Sequence, residues 1–254
     1  MLGVLALLFF SCQGGGGGTT ATSGDAGSGD SSTANTSPAS DTEEGQAEDL
    51  VNFVLDDVQD NFWVDEYPRV FGEPYQLSRL NIFTSSVTTG GCGTASSNVG
   101  PFYCPADGQA YIDLVFMIRL QNQLGAGGDF AQAYILAHEI GHHVQNLAGI
   151  NDAVRRAQST ASTTESNRLQ VLMELQADCL AGAWAADAEV RGILDAGDLD
   201  EGVRAAGAVG DDAITGSSNQ ENFTHGSSAQ RIEWFSIGFT DGTEACDTFD
   251  GAVG

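Results

Sequence analysis

Residues 128–149 read as a helix with polar chemistry built into its interior. The break Gly125-Ala126-Gly127-Gly128 precedes Asp129, a residue suited to an N-cap, and Gln132 three positions on completes a capping-box pattern. Phe130, Tyr134, Ala137, Ile140, Val144 and Leu147 then recur at helical spacing, and Gly149 supplies a stop. Within this stretch lies His138-Glu139-Ile140-Gly141-His142. Residues four apart on a helix share a face, so both imidazoles can converge on one ion. Glu139 is adjacent, where it can take a proton from a metal-activated water. Gly141 adds no side chain and lets a substrate or a second backbone come close.

The chain holds four histidines, three of them within residues 138–143. His143 sits about 100° around the helix from His142, so it reads as a surface or packed imidazole outside the ion site. A catalytic zinc needs a third protein ligand and an open position. Glu174 opens Glu-Leu-Gln-Ala-Asp in a second helical pattern, with Asp178 on the same face one turn later. That spacing lets Glu174 bind metal while Asp178 accepts a hydrogen bond from a ligand histidine and fixes its tautomer. A solvated acidic face is the plainer reading of this pair. Ala177, Ala181 and Gly182 make the stripe narrow enough for close helix packing. His225 could be a ligand, a donor to a tetrahedral oxyanion or a bystander, and Arg231 could hydrogen-bond the site or a substrate carboxylate.

The formal net charge is −26, and every one of the nine basic residues is Arg. Such a surface repels phosphate backbones and excludes nucleic acid as a partner. Residues 13–46 are Gly, Ser, Thr, Ala and Asp-rich without an aromatic, which predicts a disordered tether. The apolar start is about ten residues long, short of the ~20 needed to span a bilayer, and suits a signal segment over 1–12. Leu8-Phe9-Phe10-Ser11-Cys12 resembles a bacterial lipobox with Cys12 as the lipidated residue, although a basic start is missing and both Phe are bulky. The expectation is export to the cell envelope, lipid-anchored or secreted. Cys92, Cys104, Cys179 and Cys246 remain, an even number that predicts two disulfides in an exported chain. Cys92–Cys104 would close a local loop, worth about 2–3 kcal/mol, and Cys179–Cys246 would pin the C-terminal tail, unless Cys179 is a buried thiol.

Elsewhere, Leu50, Phe53, Val54, Val58 and Phe62 form the stripe of an amphipathic helix over 47–63. Residues 77–87 read as extended and 111–116 as a strand. The helix carrying Leu169, Leu172, Leu180 and Trp184 follows a polar stretch at 158–167 and should end near Asp187, with shorter helices at 198–209 and 228–239. One domain over 47–254, α+β and mostly helical with a small sheet, is expected.

GCGTASSNVGPFYCPADG (91–108), YIDLVF (111–116), GDFAQAYILAHEIGHHVQNLAGI (128–150), ELQADCLAGAW (174–184), THGSSAQRIEWFSIGF (224–239) and ACDTF (245–249) resemble, in order, segments of the bacterial putative neutral zinc metallopeptidase family. The resemblance implies a zincin-like, gluzincin architecture with a small sheet packed on the active-site helix. It implies Zn2+ held by His138, His142 and Glu174, Asp178 behind them, and Glu139 as the general base of peptide-bond hydrolysis. It also implies that 111–116 is an edge strand aligning an extended peptide or protein substrate. The chain is similar, too, to peptidases with H-E-x-x-H, E-x-x-A-D and T-H-P-x4-R-I motifs, which favours His225 as a transition-state donor and brings Arg231 into the catalytic set. Gly226 departs from that last motif, where Pro stands. The alternatives are a zinc-stabilised envelope lipoprotein that binds without turnover, and a hydrolase of amide bonds outside proteins.

Overall fold

The computed structural model describes residues 42–97, 99–124 and 128–252. The signal segment, Cys12 and the tether up to residue 41 lie outside these residues.

The first element begins earlier than the 47–63 pattern suggests. Thr42 accepts a hydrogen bond from the Gly45 N–H, and Glu43 and Glu44 occupy the first turn, so α1 runs Glu43–Asp56 and takes in the end of the expected tether. A capping hydroxyl and acids at the positive helix end are both favourable there. The helical path continues through a π-helical turn, Asp57–Trp63, into α2, Val64–Phe71, which ends on left-handed Gly72. Its buried stripe is Ala47, Val51, Val54, Leu55 and Val58, a strict helical repeat that leaves Phe53 outside, 56% exposed.

Among the described residues five short strands follow: β1 (Arg79–Phe83), β2 (Ser86–Thr88), β3 (Thr94–Ser96), β4 (Phe102–Cys104) and β5 (Gln109–Asp113). β2 and β3 pair antiparallel, and β1, β5 and β4 form a second sheet in that order. β1 runs parallel to β5 and β4 antiparallel to it. The expected strand at 111–116 therefore stops early. Asp113 turns its carboxylate onto the Phe116 N–H at 3.1 Å and starts α3, Leu114–Leu124. β5 is also the central strand, with both sides paired, so it is no edge for a peptide. A disulfide joins Cys92, beside the β2–β3 hairpin, to Cys104 of β4.

α4, Asp129–Leu147, packs under β4 and β5 with nearly all its side chains buried. Its cap differs from expectation. Gly128 is the capping residue, Asp129 bonds the next N–H, and Gln132 turns back to the Gly128 carbonyl, so no capping box forms. Left-handed Gly149 separates α4 from α5, Ile150–Gln158. Ser162 caps α6, whose span of Thr163–Val190 exceeds the apolar pattern at both ends. α7 (Asp198–Ala208) and α8 (Asp211–Thr215) lead to α9, Ser228–Asp241, whose Ser227–Gln230 pair does form a capping box. The architecture is mostly helical with a small sheet, an α+β arrangement.

α6 is the shared wall of the interior. On one side Gly182 and Gly238 bring it against α9 with no side chain between: an added Cβ would lie 2.0 Å from the Phe235 carbonyl oxygen or 1.8 Å from that of Cys179. The Cys179–Cys246 disulfide fastens the chain beyond α9 to the same helix. Among the described residues no helix is long and apolar enough to cross a membrane.

Candidate metal centre

The site arises where α4 and α6 touch on their other sides. Gly141 lets the helices meet there, since a Cβ on it would lie 3.1 Å from the Ala177 backbone. The second backbone, not a substrate, fills the space this glycine leaves. Beside this contact α4 presents His138, about a turn before Gly141, and His142, the next residue, with ring centroids 4.7 Å apart. α6 presents Glu174 to both: His138 Nε2 lies 3.2 Å from Oε2 and His142 Nε2 3.6 Å from Oε1.

Donor atoms of these three residues all lie within 4.8 Å of one another, and the residues are buried or nearly so. Ligands at ~2.0–2.1 Å in a tetrahedron stand about 3.3 Å apart, so the spacing suits a zinc-sized ion. Two imidazoles and one carboxylate are also a donor set zinc takes where it keeps an open position. A further observation agrees. Glu139 is buried, and its Oε1 has no hydrogen-bond partner among the described residues. Burial pushes its pKa up to about 8, against opposing effects from His142 and the Tyr103 backbone N–H. A buried carboxylate left this way needs a cation or a proton nearby. A second group, Asp129, Asp198 and Glu201, is more exposed and offers only carboxylates.

The electrostatics follow from these contacts. Burial alone would lower both histidine pKa values, yet they are raised because Asp178 and Glu174 beside His138, and Glu174 beside His142, favour the charged rings. Burial likewise opposes ionised Glu174, but the two imidazoles hold its carboxyl well below the ordinary range.

Behind His138 stands a closed charge network. Its Nδ1 meets Asp178 Oδ1 at 2.8 Å, and the same oxygen accepts from the Tyr134 hydroxyl at 2.5 Å. Arg231 grips Asp178 with a fork, Nε to Oδ2 at 2.7 Å and a terminal nitrogen to Oδ1 at 2.8 Å. Burial raises the Asp178 pKa, and the guanidinium with His138 outweighs it, so the carboxyl is held low. Arg231 is 0% exposed. The expectation that it could bind a substrate carboxylate is therefore corrected: its guanidinium is spent inside the protein, orienting Asp178.

His142 has a neutral support instead, Gln145, whose Oε1 lies 2.8 Å from Nδ1. His143 is a packed imidazole outside the ion site. Its Nε2 donates to the Gln76 carbonyl at 2.6 Å and its Nδ1 accepts from the Tyr103 hydroxyl at 3.0 Å, fastening β4 to α4. His225 lies on the loop before α9, where Asp211 receives its backbone N–H at 2.7 Å and lies 3.1 Å from Nδ1. The Gly226 departure now has a physical reason: φ is +86° there, a value proline's ring forbids, and a Cβ added at this position would press on Val171 and Leu175 of α6 at 3.2 and 3.3 Å. In the sequence Tyr134 reads only as one residue of the apolar stripe, and neither Gln145 nor Asp211 is marked for the site. Helical spacing offered a signal for the first two, four residues before His138 and three after His142. Nothing in the sequence pointed to Asp211.

The sequence profile of the family described as "Putative neutral zinc metallopeptidase" matches residues 2–249. The chain belongs to that family. An uncharacterized protein of Escherichia coli K12, YpfJ, is 45% identical over 215 residues, covering 83% of this chain and 74% of that protein. An uncharacterized protein of Mycobacterium tuberculosis H37Rv, Rv2575, is 45% identical over 194 residues, covering 70% of this chain and 64% of its own. No solved structure matches. The family match reaches well beyond the 91–249 span of the motifs, taking in the N-terminal helical run.

Proposed function

We infer that this family member is a zinc-dependent peptidase of zincin-like type, with His138, His142 and Glu174 as the metal ligands. The observation that carries the reading is Glu139: a buried carboxylate beside two converging imidazoles, with one oxygen unpaired among the described residues. A site built only for stability has no use for a base in that position. Zinc bound here would supply Lewis acidity and an acidified water near neutral pH. Glu139 would take the proton of the attacking water and return it to the departing amine nitrogen. Asp178, held by Arg231 and Tyr134, would keep His138 in the tautomer that offers Nε2.

His225 is the candidate donor to the developing oxyanion. With Asp211 engaging Nδ1, that donation would fall to Nε2. The substrate would be a peptide or protein laid along β4, an outer strand of its sheet whose Tyr103 N–H faces Glu139. Two disulfides and the lipobox-like start support an exported, envelope location.

Digestion of a broad peptide library with and without a zinc chelator tests the reading. Chelator-sensitive cleavage should fall at least ~100-fold in Glu139→Ala while zinc content is unchanged. Undiminished cleavage by that variant with zinc still bound would overturn the role given to Glu139, and a folded chain indifferent to zinc would overturn the ligand set.

A further inference from the structure

His138 and His142 offer Nε2 to the same place, yet only His138 has a carboxylate behind it. A neutral imidazole carries one proton on either nitrogen, and it ligates through Nε2 only when the proton is on Nδ1. What decides this for His142 is a run of amides with a forced direction. Gln176 Nε2 donates to the Cys246 carbonyl at 2.9 Å, so its other atom, Oε1, is an acceptor. Gln145 Nε2 donates to that oxygen at 3.0 Å and to the Met173 carbonyl at 2.8 Å. Neither carbonyl can donate, so neither amide can be reversed without setting oxygen against oxygen. Gln145 Oε1 is thereby turned to His142 Nδ1, 2.8 Å away, and can only accept there.

We propose that Gln145 and Gln176 are positioning residues that lock His142 in its Nδ1–H tautomer and hold Nε2 ready for metal. The proposal rests on the zinc reading above. Gln145 is 0% exposed and spends both N–H groups and Oε1 in this relay, which water cannot enter to scramble. The relay ends at a carbonyl of Cys246, tied by its disulfide to Cys179 on α6. The far end is thus fixed to the helix that carries Glu174. A glutamine achieves this without adding negative charge to a site that already holds Glu139, Glu174 and Asp178. The device is a chain of fixed dipoles, where the other histidine has an ion pair.

Two measurements on the full chain test it. Nitrogen-15 NMR of metal-free wild type, at a pH where the ring is neutral, should find His142 protonated at Nδ1. Zinc affinity by chelator competition should fall about 10–100-fold in Gln145→Leu, and by less in Gln176→Leu, because the Met173 carbonyl still orients Gln145. An Nε2–H tautomer in the wild type would overturn the proposal with no variant needed. So would an unchanged zinc affinity in a Gln145→Leu protein whose circular dichroism matches wild type. Wild type that ignores zinc would overturn the zinc reading itself, a result separate from the tautomer.

Discussion

The two sides of α6 solve the problem of helix contact in opposite ways. Against α9 the seam is dry: Gly182 and Gly238 remove side chains until backbone meets backbone. Against α4 the seam narrows at Gly141 and Ala177, but on either side it holds charged and polar groups, partnered except for one oxygen of Glu139 among those around the donor set. Dispersion at close range serves the first seam. In the second, burial makes every polar group expensive unless paired, and this expense selects one arrangement of ligands. A single helix can therefore set rigid geometry on one face because its other face cannot slide.

The dry seam should be the less forgiving. Gly238→Ala places a carbon 1.8 Å from a carbonyl oxygen, so the helices must separate. The cost should exceed the ~1–3 kcal/mol usual for overpacking, and the variant is expected as insoluble or unfolded protein; a native-like melting curve would show that the seam can yield. Next is Arg231→Met, which strips the guanidinium from buried Asp178, leaves it only Tyr134 and His138, and should cost about 3–5 kcal/mol in urea unfolding. Adding Asp178→Leu should restore much of that stability while zinc affinity drops, because His138 loses its partner. If affinity stays high in the double variant, the polar seam is not what orients the ligand.

A third charge contact lies at the far end of α6. Asp57 accepts from Trp184 at 2.9 Å and from Arg191 at 2.5 and 2.8 Å. Burial alone would raise its pKa, but these bonds outweigh it and hold the carboxyl low. A carboxylate with a depressed folded pKa stabilises above its unfolded value and loses that contribution as pH falls. Asp57→Asn should thus cost about 1–3 kcal/mol near pH 7, with the gap to wild type closing below about pH 4; a gap constant with pH would refute the ionic account. The smallest effect is expected from Ser227→Ala, loss of one cap on α9 at about 1 kcal/mol, read as a modest drop in melting temperature with zinc binding intact.

The helices bearing His138 and Glu174 were legible because apolar spacing and stop residues are local signals. What could not be read locally was the meeting of those helices: Ala177 and Gly182 look alike in sequence, yet one faces α4 and the other α9. The strand at 111–116 was misjudged in length because Asp113 acts through its side chain on a later N–H, and in role because its second neighbour, β1, lies about thirty residues earlier. The motif brings Arg231 near the candidate site but carries no sign that its guanidinium is buried against Asp178. Its sequence neighbours Gln230 and Glu233 give no sign of a cavity large enough for a guanidinium. The π-helical turn at Asp57–Trp63 likewise has no pattern that distinguishes it from ordinary helix.

Arg231 lies 57 positions after Glu174 in the chain, counting 231 minus 174. A polypeptide leaving the ribosome has all three donor side chains long before it has the cation that steadies them. Until α9 docks, Asp178 lacks its guanidinium, so the setting of His138 depends on a stretch of chain made after every donor. Shortening the chain ahead of α9 would spare His138, His142 and Glu174 and still take away the guanidinium that steadies Asp178 behind them.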